Sequence, residues 1–287
     1  MRVKIIADSA CDLPQDIIES LHIDFLPLVV QIDEQQYYDG ETIQPKELYQ
    51  MMREGTVAKT SQVPPSRFEE TYIKYAESKQ PCIYIAFSSE LSGTYQTSTL
   101  VKTDIIEKYP DFDLTIIDSK CASLGYGLVV KKAAELAEIG KSKEEIIEMV
   151  TFYCKHMEHL FTVDSLEYLY RGGRVSKTSA FVGGLLNIKP ILNVEDGKLI
   201  PLEKLKGRKK VLKRIVKLLK ERGYKLDKQC IAISHGDDLE TAQYVRDLIK
   251  EETGCNDFLI HTIGCSIGAH TGPGTISIFF LNQFPSE

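Results

Sequence analysis

Through its first half the chain alternates short apolar, β-branched runs with helix-patterned segments, and few folds satisfy that rhythm. Strands that recur between helices pair through crossovers, so the pattern predicts a mostly parallel sheet sandwiched by helices. Strands are expected over residues 3–7, 25–31, 82–87 and 114–118. Helices are expected over 14–22, 45–53, 66–78, 93–109, 125–139 and 143–157. Pro14 suits a first helical turn, with Asp12 as its cap. Ser142, with Glu145 three residues on, makes a capping box.

The rhythm changes near residue 160. After a strand over 160–163 and helices over 166–170 and 178–186, two strands, 188–194 and 199–206, flank Glu195-Asp196-Gly197-Lys198, where Asp-Gly signals a hairpin. Helices over 208–222 and 239–253 bracket a strand over 230–235, and strands over 258–263 and 275–281 follow. At 287 residues the chain has room for two α/β domains. They are expected at 1–160, carrying hydroxyl-rich loops, and at 161–287, with a mixed or antiparallel sheet.

Composition excludes several classes. The apolar stretch after Met1 ends at Asp8, too short for a secretory leader or a membrane span, which points to a cytoplasmic protein. Seven cysteines without a Cys-x-x-Cys pair point to buried, reduced thiols and no structural zinc. The six histidines show no chelating pair with an acidic or Cys partner, so no metal is expected. No Walker A string is present. The net charge of −6 argues against nucleic-acid binding, yet residues 204–228 hold 12 Lys or Arg against Glu221 and Asp227.

Four polar segments follow apolar runs, where open α/β sheets place ligands. Asp8-Ser9-Ala10-Cys11-Asp12 reads as a turn and cap or as part of a ligand site. In Thr60-Ser61-Gln62-Val63-Pro64-Pro65 the next helix accounts for Ser66 as a cap, but not for Thr60 and Ser61. Ser88-Ser89-Glu90-Leu91-Ser92-Gly93-Thr94 brings several hydroxyls to a helix start, where unpaired N–H groups and the helix dipole favour an anion. Finally, His270 stands among Gly264, Gly268, Gly272, Pro273 and Gly274, on what reads as a glycine-rich loop.

Two formal motifs are set aside. Gly264-Cys265-Ser266-Ile267-Gly268 fits a nucleophile elbow, but a glycine-rich loop is expected after it instead of a helix, and no acid lies between Ser266 and His270. Gly272-Pro273-Gly274 opens a dinucleotide fingerprint, but Ser277 takes the place of the third glycine. The enzymatic alternative is an acyl or phosphoryl hydrolase or transferase using Ser92 or Ser266 with His270.

Taken in order, Asp8-Ser9 with Asp12, Thr60-Ser61-Gln62, Ser92-Gly93-Thr94, Arg171-Gly172-Gly173-Arg174 and His270-Thr271-Gly272-Pro273-Gly274 resemble the DegV family of bacterial fatty-acid-binding proteins over essentially the whole chain. The chain departs from the family pattern at Val63 and Ser277. The resemblance implies a non-enzymatic lipid carrier with no cofactor besides one long-chain fatty acid. Thr60 or Ser61, Ser92 and His270 would hold its carboxylate, with Ser9, Gly93, Thr94, Gly272 and Gly274 shaping the supporting loops. The tail would lie in the second domain, among Phe161, Leu166, Leu169, Phe181, Val182, Leu185, Leu186, Ile188 and Ile191. The family presents its lipid to a separate ATP-dependent fatty acid kinase, which feeds phospholipid synthesis. The basic segment, through Lys206 and Arg208 with Arg171 and Arg174, suggests docking to an acidic partner or transiently to a membrane surface.

Overall fold

In the computed structural model, which describes residues 2–176 and 188–285, the first strand forms at once. Strand β1 (Lys4–Asp8) leads through a short 3-10 turn to α1 (Gln15–Ser20), β2 (Asp24–Leu26), β3 (Val29–Ile32), β4 (Gln35–Tyr38), α2 (Pro45–Arg53) and β5 (Ala58–Ser61). Next come α3 (Pro65–Glu77), β6 (Cys82–Ala86), α4 (Thr94–Lys108), β7 (Leu114–Asp118), α5 (Ser123–Glu138) and α6 (Lys143–His156). The second half holds β8 (Met157–Thr162), α7 (Glu167–Arg171), β9 (Ile188–Glu195), β10 (Lys198–Lys206) and α8 (Arg208–Arg222). It continues with β11 (Ile231–His235), α9 (Leu239–Thr253), β12 (Phe258–Thr262), α10 (Cys265–Thr271) and β13 (Ile276–Leu281).

The expected α/β class holds, with a parallel sheet first and a mixed sheet after it. Strands β2-β1-β6-β7 form the four-stranded parallel sheet. Strands β10-β9-β8-β13-β11-β12 form a six-stranded sheet, antiparallel except for β11 with β12. The hairpin between β9 and β10 turns at Asp196 and Gly197, both at positive φ, as a two-residue turn matching strand twist requires. Ser142 and Glu145 make both bonds of the capping box.

Helix α5 joins the halves, lying between the two sheets with most of its residues buried. The other face of the large sheet, through Leu160, Ile276, Ile278 and Phe280, packs on the apolar faces of α8 and α9. The small third sheet, with its strands β4 and β5, was not foreseen. The expected single strand over 25–31 is two strands in different sheets: β2 extends the parallel sheet, whereas β3 pairs with β4 and β5 in a small antiparallel sheet. That sheet and α2 share a core with Ile263, Cys265 and Ala269 at and before α10, so a segment of the first half holds a helix of the second.

Two caps are corrected. Helices α1 and α3 have Pro14 and Pro64 at their N-cap positions, where proline carries no side-chain oxygen to accept from the first turn. Asp12 instead takes a left-handed backbone conformation and turns its buried carboxylate to Ser123 and the Gly264 N–H. No helix among the described residues is long and apolar enough to cross a membrane, and no metal-binding group of three or more His, Cys, Asp or Glu is found among them. The helix expected over 178–186 lies outside the described residues.

Candidate functional site

An apolar cavity of about 300 Å³ opens between the halves, at the lower end of small-molecule sites. Leu28, Phe87 and Leu91 line it from the first half, and Phe161, Leu169, Val194, Leu199 and Phe279 from the second. Polar groups also face it, and those of Thr60, Ser61, Gln62, Ser92, Arg174 and His270 come from four separate segments of the chain.

Thr60 is carried at the end of β5, where pairing with Val30 fixes its backbone. The sequence reading placed Thr60 and Ser61 on a loop; they are strand residues, and alternation turns Thr60 inward while Ser61 is exposed at the rim. His270 is likewise not on a glycine-rich loop. It occupies α10, whose two first-turn N–H groups, those of Cys265 and Ser266, donate to the buried Asp39 carboxylate at 2.8 and 2.9 Å. Gly268 inside that helix serves close packing: a Cβ there would lie 2.6 Å from the Tyr49 hydroxyl.

These two elements bring Thr60 Oγ1 and His270 Nε2 to 2.6 Å across 210 residues of sequence. Burial, with a smaller contribution from the Arg174 guanidinium, pushes the His270 pKa down to about 3, so the ring is neutral at pH 7. The seat of that ring depends on Gly172, since a Cβ there would overlap His270 Nδ1. The first residues of α4 complete this end. Ser92 Oγ is 2.8 Å from Thr94 Oγ1, Thr94 is fully buried, and no side chain caps the helix. Gly93 admits Gln62, whose amide oxygen a Cβ at that position would overlap.

The remaining candidates are dispersed. Ser9 does not line the cavity; its hydroxyl accepts the N–H of Leu28, which does. Gly272 and Gly274, both at positive φ, end α10 and allow Tyr168 and Asp164 to pack against the backbone. Arg174, expected on a docking surface, faces the cavity, and three of its five N–H groups donate to the carbonyls of Leu91 and Gly172. Arg208 is also committed internally, to Asp164, Asp238 and the Gly274 carbonyl. Arg171 stacks on Tyr168 near the surface, and Lys206 is exposed.

Of the apolar residues expected around a tail, Phe161 and Leu169 line the cavity. Leu166 packs behind them, Ile191 faces α8 across the sheet, and Ile188 is exposed. Phe181, Val182, Leu185 and Leu186 lie outside the described residues. The sequence reading missed the first-half lining and His159, for which no local motif exists.

Neither Ser92 nor Ser266 is hydrogen-bonded to His270. His270 Nε2 is bonded to Thr60, Ser92 to Thr94, and the buried Ser266 hydroxyl has no partner. The glycine-rich loop expected after Gly264 is the helix α10, so that ground for rejecting a nucleophile elbow falls, while the hydrogen-bond geometry supplies another.

Fold and cavity define a class: an α/β protein with a parallel and a mixed main sheet, closing between its halves an apolar chamber into which hydroxyl, imidazole and guanidinium groups also face. The chain belongs to the DegV family, whose model, described as an uncharacterised protein family, matches residues 2–283. A DegV domain-containing protein of Clostridium perfringens is 44% identical over 282 residues, spanning 97% of each chain. A DegV family protein of Thermus thermophilus, described as fatty acid binding, superposes with a TM-score of 0.85 at 30% identity, covering 97% of this chain and 99% of that one. DegV of Bacillus subtilis, described as a fatty acid binding protein, superposes with a TM-score of 0.86 at 30% identity, covering 97% and 98%. A stearic acid-binding protein of Eubacterium ventriosum superposes with a TM-score of 0.89 at 26% identity, covering 98% and 99%.

Proposed function

We propose that the protein binds one long-chain fatty acid, with its carboxylate among Thr60, Ser92 and His270 and its tail in the apolar cavity. The observation that carries this reading is the lining of the chamber: hydrocarbon side chains from both halves, together with the hydroxyl, imidazole and guanidinium groups of Thr60, Ser92, His270 and Arg174, of which Thr60 and His270 are bonded to each other. Each buried methylene contributes about 0.8 kcal/mol, so a tail of about sixteen carbons supplies on the order of 12 kcal/mol before ordering costs. The polar end then fixes direction, because a desolvated carboxylate is costly unless several donors meet it. Thr60 is favoured over Ser61 by its inward position and its bond to His270. Arg174 adds positive charge beside the ring.

In this reading the chain acts as a cytoplasmic carrier, presenting the carboxylate to a separate ATP-dependent fatty acid kinase for acyl phosphate formation and phospholipid synthesis. Exposed Lys206 and Arg171 are the docking groups this leaves, since Arg208 and Arg174 are held by internal acceptors. The test is the carboxylate itself. Delipidated protein is offered a fatty acid and the fatty alcohol of equal length in competition, and retained lipid is measured by mass spectrometry of extracts. The acid is expected to be retained at least about tenfold over the alcohol, the worth of one charge-assisted hydrogen bond. Equal retention contradicts the head-group assignment.

A further inference from the structure

The register of β8 against β13 gives the depth of the cavity. Thr275, just before β13, donates to the Thr271 and Gly272 carbonyls at the end of α10, beside His270. Along the same face, Phe161 and Ser277 form the next opposed pair and line the cavity; His159 and Phe279 form the pair after that and line it too. Met157 and Leu281, the following pair, are buried in the core and do not line it. Successive pairs on one face are about 6.6 Å apart. A chain entering beside His270 therefore passes one pair and meets His159 and Phe279 at the second.

That second pair is held from all sides. The two rings meet edge to face with centroids 5.3 Å apart. His159 Nε2 accepts the Ala122 N–H at 3.2 Å, so Nδ1 carries the proton and donates to the Met157 carbonyl at 3.2 Å. Beneath the rings lies Gly125 in the first turns of α5, where glycine weakens a helix relative to alanine. Its φ is not positive, so backbone freedom does not explain it. Space does: a Cβ at Gly125 would lie 2.5 Å from His159 Nε2 and 2.7 Å from Phe279 Cδ1.

We propose that the His159–Phe279 pair, seated on Gly125, is the floor of the acyl site and sets the longest tail the protein holds. The proposal rests on the fatty-acid reading above and adds its length limit. Gly125→Ala raises the floor and excludes methylenes, each costing about fourfold in affinity. Phe279→Leu removes volume at the floor, at some cost in stability from the space it opens, and admits longer tails.

The experiment uses full-length wild type and both variants, stripped of lipid and then offered an equimolar mixture of saturated straight-chain fatty acids of graded length. Retained acids are quantified by mass spectrometry of denaturing extracts. The wild type is expected to show a sharp upper cut-off, Gly125→Ala a shorter one and Phe279→Leu a longer one. Should Gly125→Ala fail to fold, the Phe279→Leu cut-off decides alone. An unchanged cut-off in the folded variants overturns the floor while leaving fatty-acid binding intact. A wild type that retains no acid of any length overturns the binding reading and the floor with it.

Discussion

Two histidines line the cavity, His159 buried and His270 half-buried, and they differ in what their nitrogens do. His159, at the deep end, spends both on backbone groups, accepting from Ala122 and donating to Met157. His270, at the polar end, bonds a side chain, the Thr60 hydroxyl, beside a guanidinium. Burial pushes both pKa values down, to about 4 and about 3, so a displaced pKa does not separate them. What separates them is whether the fold has already consumed the hydrogen-bonding capacity. A ring tied to two backbone groups is framework; a ring bonded to another side chain can exchange that partner for a ligand.

The largest effect expected from this contrast is on stability. His159→Ala leaves the Ala122 N–H unpaired and opens a hole beside Phe279, for a loss of about 4 kcal/mol in urea unfolding. A loss below about 1 kcal/mol would remove His159 from the framework.

The second is a pH dependence. The folded-state pKa of His159, near 4, lies below its ordinary 6.5, so the unfolded chain takes up the proton first as pH falls. This contribution is therefore whole above pH 6.5 and is lost progressively toward pH 4, by about 3 kcal/mol. Unfolding curves across that window should lose part of their acid slope in His159→Ala, the rest belonging to His270 and the other histidines whose pKa values burial lowers.

At the other end the fold should survive and the ligand should not. Gly172→Ala displaces the His270 ring, and both it and His270→Ala are expected to lower lipid retention about 100-fold, as removal of a charge-assisted bond does. Melting of the stripped proteins should change little, and a full loss of fold in His270→Ala would make the two histidines alike.

The smallest effect is at Thr60. Thr60→Val keeps the shape and removes one hydroxyl, for about a tenfold fall in retention, whereas Thr60→Ser should stay near wild type. Equal losses in both would assign the effect to strand packing in β5.

Sequence periodicity revealed the parallel sheet, the capping box at Ser142 and the Asp196-Gly197 hairpin, because each is a local consequence of local residues. The hydroxyls of the polar end were legible for the same reason. Helix α10 was hidden by Gly264 and Gly268, which read as loop signals until Tyr49 shows why one of them lacks a side chain. Arg174 and His159 were illegible as cavity residues, since their roles depend on β8, α5 and the Leu91 carbonyl arriving from distant parts of the chain. Gly125, Gly172 and Gly268 each clear space for a named side chain, which no periodicity reports.

The central claim is that the chamber holds one fatty acid by its head group. Native mass spectrometry of the full-length protein, followed by denaturing extraction, tests it most directly. The account predicts a mass raised by one fatty acid per chain and release of that acid on denaturation. A chain at its bare mass after incubation with excess fatty acid, with none in the extract, would contradict it.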